Sequence, residues 1–254
     1  MPKLPPKDQF LDLSDYGRPI AQYIAHQLKN SGVTPIHITI CFSLSGILAV
    51  MSILNHQYIM AAFFLILKSV LDAADGELAR IRDTPSHVGR YLDSISDLLL
   101  NLLLFLALWT VSDSMFIFIL LAFLSLQLQG TLYNFYYVII RNKAHGDITS
   151  QIFEIESPKA YPGEQQELVD RLHKIYRILY GGFDQIIYAL DRDAFKCNHF
   201  PPWFMTCLSI FGLGFQLLVI AAMLVLGMKN LIVPLFIGIT TLLPLFILER
   251  KKII

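Results

Sequence analysis

Six long apolar stretches alternate with polar ones along the 254 residues, at roughly 36–54, 58–79, 91–111, 114–140, 203–227 and 231–248. Each is near the ~20 residues that a membrane-spanning helix needs. Stretches this long and this apolar are predicted to be helices, because in lipid every backbone group must find its partner within the segment. The expected fold is therefore all-α, a membrane protein with six transmembrane helices forming one domain over residues 1–254. No repeat of 20–50 residues is visible.

Two regions outside the spans carry a helical pattern. In the N-terminal segment, 1–33, Ile20, Tyr23, Ile24 and Leu28 fall at helical spacing, with Arg18, Gln22, His26 and Lys29 on other faces. That pattern predicts an amphipathic helix over 18–29, lying in the membrane interface. It ends before Gly32, and Thr34-Pro35 then starts the first span, where proline is tolerated in the first turn. The second region, 141–200, is a helical insertion between spans four and five. It is polar through Gly163, and then Leu168, Leu172, Ile175, Tyr176 and Leu179 repeat at helical spacing. Gly181-Gly182 interrupts before Phe183, Ile186, Ile187 and Leu190 resume, so two short helices resting on the membrane surface are predicted, without site residues.

Charge adds an orientation. Of the twenty Lys and Arg, all but Lys68 and Lys229 fall in the N-terminal segment, the turn after span two, the insertion and the tail. By the positive-inside rule these parts are cytoplasmic, which places both termini inside. Composition agrees with a lipid solvent: 55% of residues are hydrophobic and only 16% charged. A net charge of zero excludes nucleic acid as the main partner. The three cysteines, Cys41, Cys197 and Cys207, form no CxxC pair and imply neither disulfide nor zinc. The first ten residues lack the apolar core of a signal peptide.

Carboxylates are rare in spanning helices unless they work. Span two ends with Asp72, Asp75, Gly76, Ala79 and Arg80, and span three begins with Gly89, Asp93 and Asp97. Positions 72, 75, 76 and 79 share one helical face, and 89, 93 and 97 share another. A short turn joins the spans, so the four aspartates can converge just inside the cytoplasmic boundary. Four carboxylates in a low dielectric repel, and divalent cations relieve this. Ligands that are all oxygen point to Mg²⁺ or Mn²⁺, and a carboxylate-held pair of ions suits phosphoryl chemistry. The small residues Gly76, Ala79 and Gly89 let a flat group approach the backbone, and Arg80 can neutralise phosphate oxygens.

The run D72-xx-D75-G76-xx-A79-R80-x8-G89-xxx-D93-xxx-D97 resembles the signature of the CDP-alcohol phosphotransferase (CDP-alcohol phosphatidyltransferase) family. The resemblance implies that Asp72, Asp75 and Asp93 are metal ligands, and that Asp97 is both a ligand and the general base for the acceptor hydroxyl. It implies that Asp72, Gly76, Ala79, Arg80 and Gly89 bind the CDP moiety, that CMP leaves, and that the chain is a homodimer. Two donor classes stay open. The favoured one is CDP-diacylglycerol with a small polar or phosphorylated alcohol; the other is CDP-choline or CDP-ethanolamine with diacylglycerol. A cation transporter is the rival class, but the broken, inverted-repeat spans of such proteins are not visible.

Lys68 lies one turn before Asp72, where it can pair with Asp72, meet a substrate phosphate or snorkel outward. Arg141 can receive an acceptor's phosphate or anchor span four at the interface. Asn101 is expected to bond between helices, and Glu77 and Arg82 to be solvated at the surface.

Overall fold

A computed structural model describes residue 4 and residues 8–143, 156–197 and 199–253. The first part of the polar N-terminal segment and residues 144–155 of the insertion lie outside the described residues. The fold is all-helical, 79% helix, with no strand among the described residues. Among the described residues ten α-helices follow in order: α1 Arg18–Leu28, α2 Pro35–Leu54, α3 Tyr58–Arg82, α4 His87–Val111, α5 Phe116–Lys143, α6 Gln166–Leu190, α7 Pro202–Leu208, α8 Leu213–Val225, α9 Lys229–Ile239 and α10 Leu242–Lys252.

The helix ends follow local chemistry. Thr34 caps α2 by accepting from the His37 amide, His37 Nδ1 accepts from the Thr34 amide, and Pro35 fills the first turn. The α3–α4 turn begins at Asp83, whose φ of 52° turns the chain out of α3, and Ser86 Oγ then caps α4 by accepting from the Gly89 amide at 2.8 Å. Only short-chain residues take that left-handed backbone readily.

Among the described residues four helices are long and apolar enough to cross a membrane: α2, α4, α5 and the stretch Lys229–Lys252. A fifth is Pro202–Phe211 with Leu213–Val225 taken as one span, bent by 52° at Gly212. Helix α3 has the length, at 25 residues, but Lys68, Asp72, Asp75, Glu77, Arg80 and Arg82 remove it from that set. The main core joins α2, α3, α4, α5, α8 and α9 through residues such as Ala49, Leu65, Phe105, Leu126, Ile220 and Phe236. Large apolar side chains such as Leu44, Met51, Ile59 and Phe63 face outward, as lipid contact allows.

Backbone packing centres on α3, which lies along α2, α8 and α1, and α2 in turn lies along α4. Gly46 allows this approach, since a Cβ there would stand 2.8 Å from the Leu100 side chain on α4. The two aspartate-bearing helices therefore meet through side chains. Helix α1 covers α3, but with its alanines. Ala21 and Ala25 are buried against Ala74 and Leu78 with Ile24 and Leu28 partly buried beside them, whereas Ile20 and Tyr23 are exposed. Small side chains let α1 sit close, and this turns Ile20 and Tyr23 outward.

The insertion also departs from expectation. Instead of two short helices, α6 is one continuous helix of 25 residues that passes through Gly181 and Gly182 unbroken. Val169, His173 and Ile187 are buried beneath it, and it packs on α4 and α5. The cost of two glycines in a helix is about 1 kcal/mol each, within reach of the packing that α6 gains. Beyond α6, Asp191 and Arg250 are fully buried as an ion pair, and Tyr136 donates to the same carboxylate at 2.6 Å. A buried pair tolerates its desolvation only when bonded in this way, and here it ties α5, the end of α6 and α10 together.

Candidate functional site

The α3–α4 pair brings the motif residues together. Oxygen atoms of Asp72, Asp75 and Asp93 all lie within 4.8 Å of one another. Asp75 is buried, and Thr39 on α2 donates to its Oδ2 at 2.7 Å. Oδ1 of Asp93 is buried with no hydrogen-bond partner among the described residues. Three carboxylates this close, one with an unmatched oxygen, form an all-oxygen donor set that fits a hard divalent cation. Such an oxygen is costly to bury without a partner, and a cation would supply one.

Asp97 stands apart from that trio. Its Oδ1 is 2.5 Å from Nζ of Lys68, a lysine only 1% exposed. A pairing with Asp72 along α3, one of the roles left open by the sequence, gives way to one across helices. Lys68 does not snorkel, and its ammonium also lies 5.1 Å from the centre of the Phe42 ring on α2.

The polar end of α3 is more tightly bound than the sequence suggested. Glu77 is buried, 3.0 Å from Arg80 and 3.8 Å from Arg18, and Arg18 in turn pairs with Asp15 at 2.6 Å. Arg82 donates to the carbonyls of Leu28, Lys29, Ser31 and Val33, clasping the end of α1 and the loop after it. Surface solvation, the expectation for Glu77 and Arg82, is therefore corrected: Glu77 is a buried link, and Arg82, half-buried, ties α3 to the end of α1. Helices end with unmatched carbonyls, and Arg82 meets that of Leu28 at the end of α1. Gly76 lies beneath Arg80, where a Cβ would come 3.3 Å from its guanidinium. Ala79 and Gly89 are half-buried on the same two helices.

Arg141, near the end of α5, lies over the Tyr137 ring with 5.8 Å to the ring centre. Tyr137 is within electrostatic reach of Arg141, Arg18, Asp12 and Asp15, which puts Arg141 on the side of the site where α1 begins. Asn101 is buried, and its Oδ1 finds no hydrogen-bond partner among the described residues.

Helix α6 contributes residues that the sequence reading left out. Tyr180 donates to the carbonyl of Ser94, between Asp93 and Asp97, at 2.7 Å. Burial, together with the charge of Asp97, pushes its hydroxyl well above the usual tyrosine range, so it remains a donor. Just before α6, Glu164 accepts from Ser86 Oγ at 2.7 Å and from the Val88 amide at 2.9 Å, capping α4 from outside. Tyr91 packs on His173 and Tyr176. The signal for α6 was its two tyrosines at i and i+4, which in isolation read as an interfacial face. For Thr39 it was a hydroxyl near the start of an apolar span, which also carries Ser43, Ser45 and Ser52.

Residues 33–154, just under half of the chain, match the family model of the CDP-alcohol phosphatidyltransferases. The match takes in α2 to α5 and the whole motif, and leaves α1 and α6 to α10 outside. No curated protein matches the chain. The family transfers a phosphoalcohol group from a CDP-alcohol in phospholipid synthesis and is generally dependent on a divalent metal.

Proposed function

We propose that the chain transfers a phosphoalcohol group from a CDP-linked donor to an alcohol acceptor, with release of CMP. One observation carries this reading: in a segment that matches this family's model, oxygens of Asp72, Asp75 and Asp93 gather within 4.8 Å. Those three residues hold Mg²⁺ or Mn²⁺, with Asp97 completing a site for two ions. The ions, when bound, supply positive charge to the diphosphate and to the leaving CMP. Asp72, Gly76, Ala79, Arg80 and Gly89 bind the CDP moiety, Arg80 through its guanidinium and the small residues by leaving room. Asp97 takes the proton of the acceptor hydroxyl, whose oxygen attacks the β-phosphorus as the bond to CMP breaks.

The favoured donor is CDP-diacylglycerol with a small polar or phosphorylated alcohol, and Arg141 is the candidate contact for an acceptor phosphate. Transfer from CDP-choline or CDP-ethanolamine to diacylglycerol is the other substrate pair. We read six spans, α3 and the bent α7–α8 pair included. The apolar half of α3, with Lys68 and Asp75 turned inward, suits a crossing helix. Both termini and the site then face the cytoplasm, α1 lies at the interface, and the protein works as a homodimer. The test is CMP release by purified protein with each CDP-linked donor, Mg²⁺ or Mn²⁺ and a panel of labelled alcohols. Release with one donor class identifies it; no CMP under any combination would sink the reading.

A further inference from the structure

The geometry points to Lys68 as the positioning residue of Asp97: its ammonium holds one oxygen of the base and leaves the other for the acceptor's proton. The inference rests on the phosphotransfer reading and gives Lys68 a role other than a phosphate contact.

Three observations carry it. Lys68 is 1% exposed, so its charge cannot be satisfied by water. An ammonium taken out of water costs several kcal/mol unless a partner offsets it. The partner is Asp97, at 2.5 Å, on the facing helix. This choice is informative, because Asp72 lies on the same helix one turn away, at the spacing where ion pairs usually form. The side chain instead crosses from α3 to α4. The remaining support is the Phe42 ring on α2, 5.1 Å from the ammonium. Lys68 is thus fixed from α2 and α4 at once, and it cannot follow a substrate without abandoning both.

The four carboxylates also divide. Asp72, Asp75 and Asp93 share a space that a cation can fill. Asp97 already has an internal cation, which offsets its repulsion with the other three and fixes its side-chain torsions. A base must sit within hydrogen-bond reach of the proton it accepts, and small misplacements are costly. In the transfer step the acceptor O–H proton goes to the oxygen of Asp97 that Lys68 does not hold. The acceptor oxygen forms the new P–O bond, and CMP leaves with the electron pair of the old one. Lys68 gains and loses nothing.

The experiment is a double-mutant cycle on Lys68→Met and Asp97→Asn, read in two ways. Thermal unfolding in chelator reads the pair without metal or turnover. The proposal expects Lys68→Met to lower the unfolding temperature in the parent, and to cost less than half as much in the Asp97→Asn background. Equal costs in both backgrounds would overturn it. Should Lys68→Met alone fail to fold, a folded double variant supports the pair and an unfolded one refutes it. Kinetics separate positioning from substrate contact. Lys68→Met is expected to lower kcat about 30-fold with the donor KM within about threefold of the parent. A rise in donor KM with kcat nearly unchanged would assign Lys68 to a phosphate and reject the proposal. Parent protein that releases no CMP sinks the phosphotransfer reading itself, whereas turnover with an additive cycle sinks only the role of Lys68.

Discussion

Thr39 on α2 donates its hydroxyl hydrogen to Asp75 on α3, at 2.7 Å and out of contact with water. The bond fixes a carboxylate that lies within 4.8 Å of those of Asp72 and Asp93. Groups that orient a metal ligand commonly set affinity by 10–100-fold. Thr39→Val keeps the shape and removes the donor. It is expected to raise the Mg²⁺ concentration for half-maximal CMP release about tenfold, with smaller change at saturation. A metal titration of both proteins measures this.

Asp97→Asn keeps the size of the side chain and removes its ability to take a proton. Turnover is expected to fall by about 10³-fold or more, within the range that general-base loss produces. Binding of a CDP donor, followed by calorimetry, is expected to stay near the parent's. Turnover near the parent rate would show that Asp97 is not the base.

Chelation is expected to abolish CMP release, and added Mg²⁺ or Mn²⁺ to restore it, because the donor set around Asp72, Asp75 and Asp93 is all oxygen. The decisive measurement is residual activity after exhaustive chelation. Activity that survives removes the metal from the reaction.

Gly76→Ala places a methyl group 3.3 Å from the Arg80 guanidinium. The arginine must shift, and the space left for the CDP moiety shrinks. A rise of about tenfold in donor KM, with kcat less affected, is the expected signature of lost binding. Steady-state kinetics with a varied donor test it.

Arg82→Met removes a donor from four carbonyls, at Leu28, Lys29, Ser31 and Val33, of which Leu28 keeps its bonds from Ser31. Hydrogen bonds from a charged group are worth about 1.5–3 kcal/mol each when dry, and this site is partly wet, so a loss of about 2 kcal/mol is expected. Unfolding in detergent reads the loss, and faster proteolysis near Gly32 should accompany it as α1 loosens.

How much of this was legible beforehand depended on whether a feature was local. The stripes 72–75–76–79 and 89–93–97 follow from helical spacing alone, and so does the amphipathic α1. The face that α1 turns to α3 did not follow, because Ala21 and Ala25 pack there by close approach to Ala74 and Leu78, and the apolar pattern does not single out alanines. Gly181-Gly182 suggested a break, but packing of α6 on α4 and α5 overrode local propensity. Arg80, the nearer partner of Glu77, stands at i+3 on the same helix, but Arg18 and the carbonyls held by Arg82 lie about 50 residues or more away in the chain, where no spacing rule reaches.

By itself the sequence determined that Asp72, Asp75, Asp93 and Asp97 line two facing helical stripes, since the helical period and a short turn leave little freedom. Only the tertiary structure decided how those four carboxylates divide. Three of them gather, and the fourth pairs with Lys68, because a buried ammonium must find a counter-charge wherever the packed helices place one.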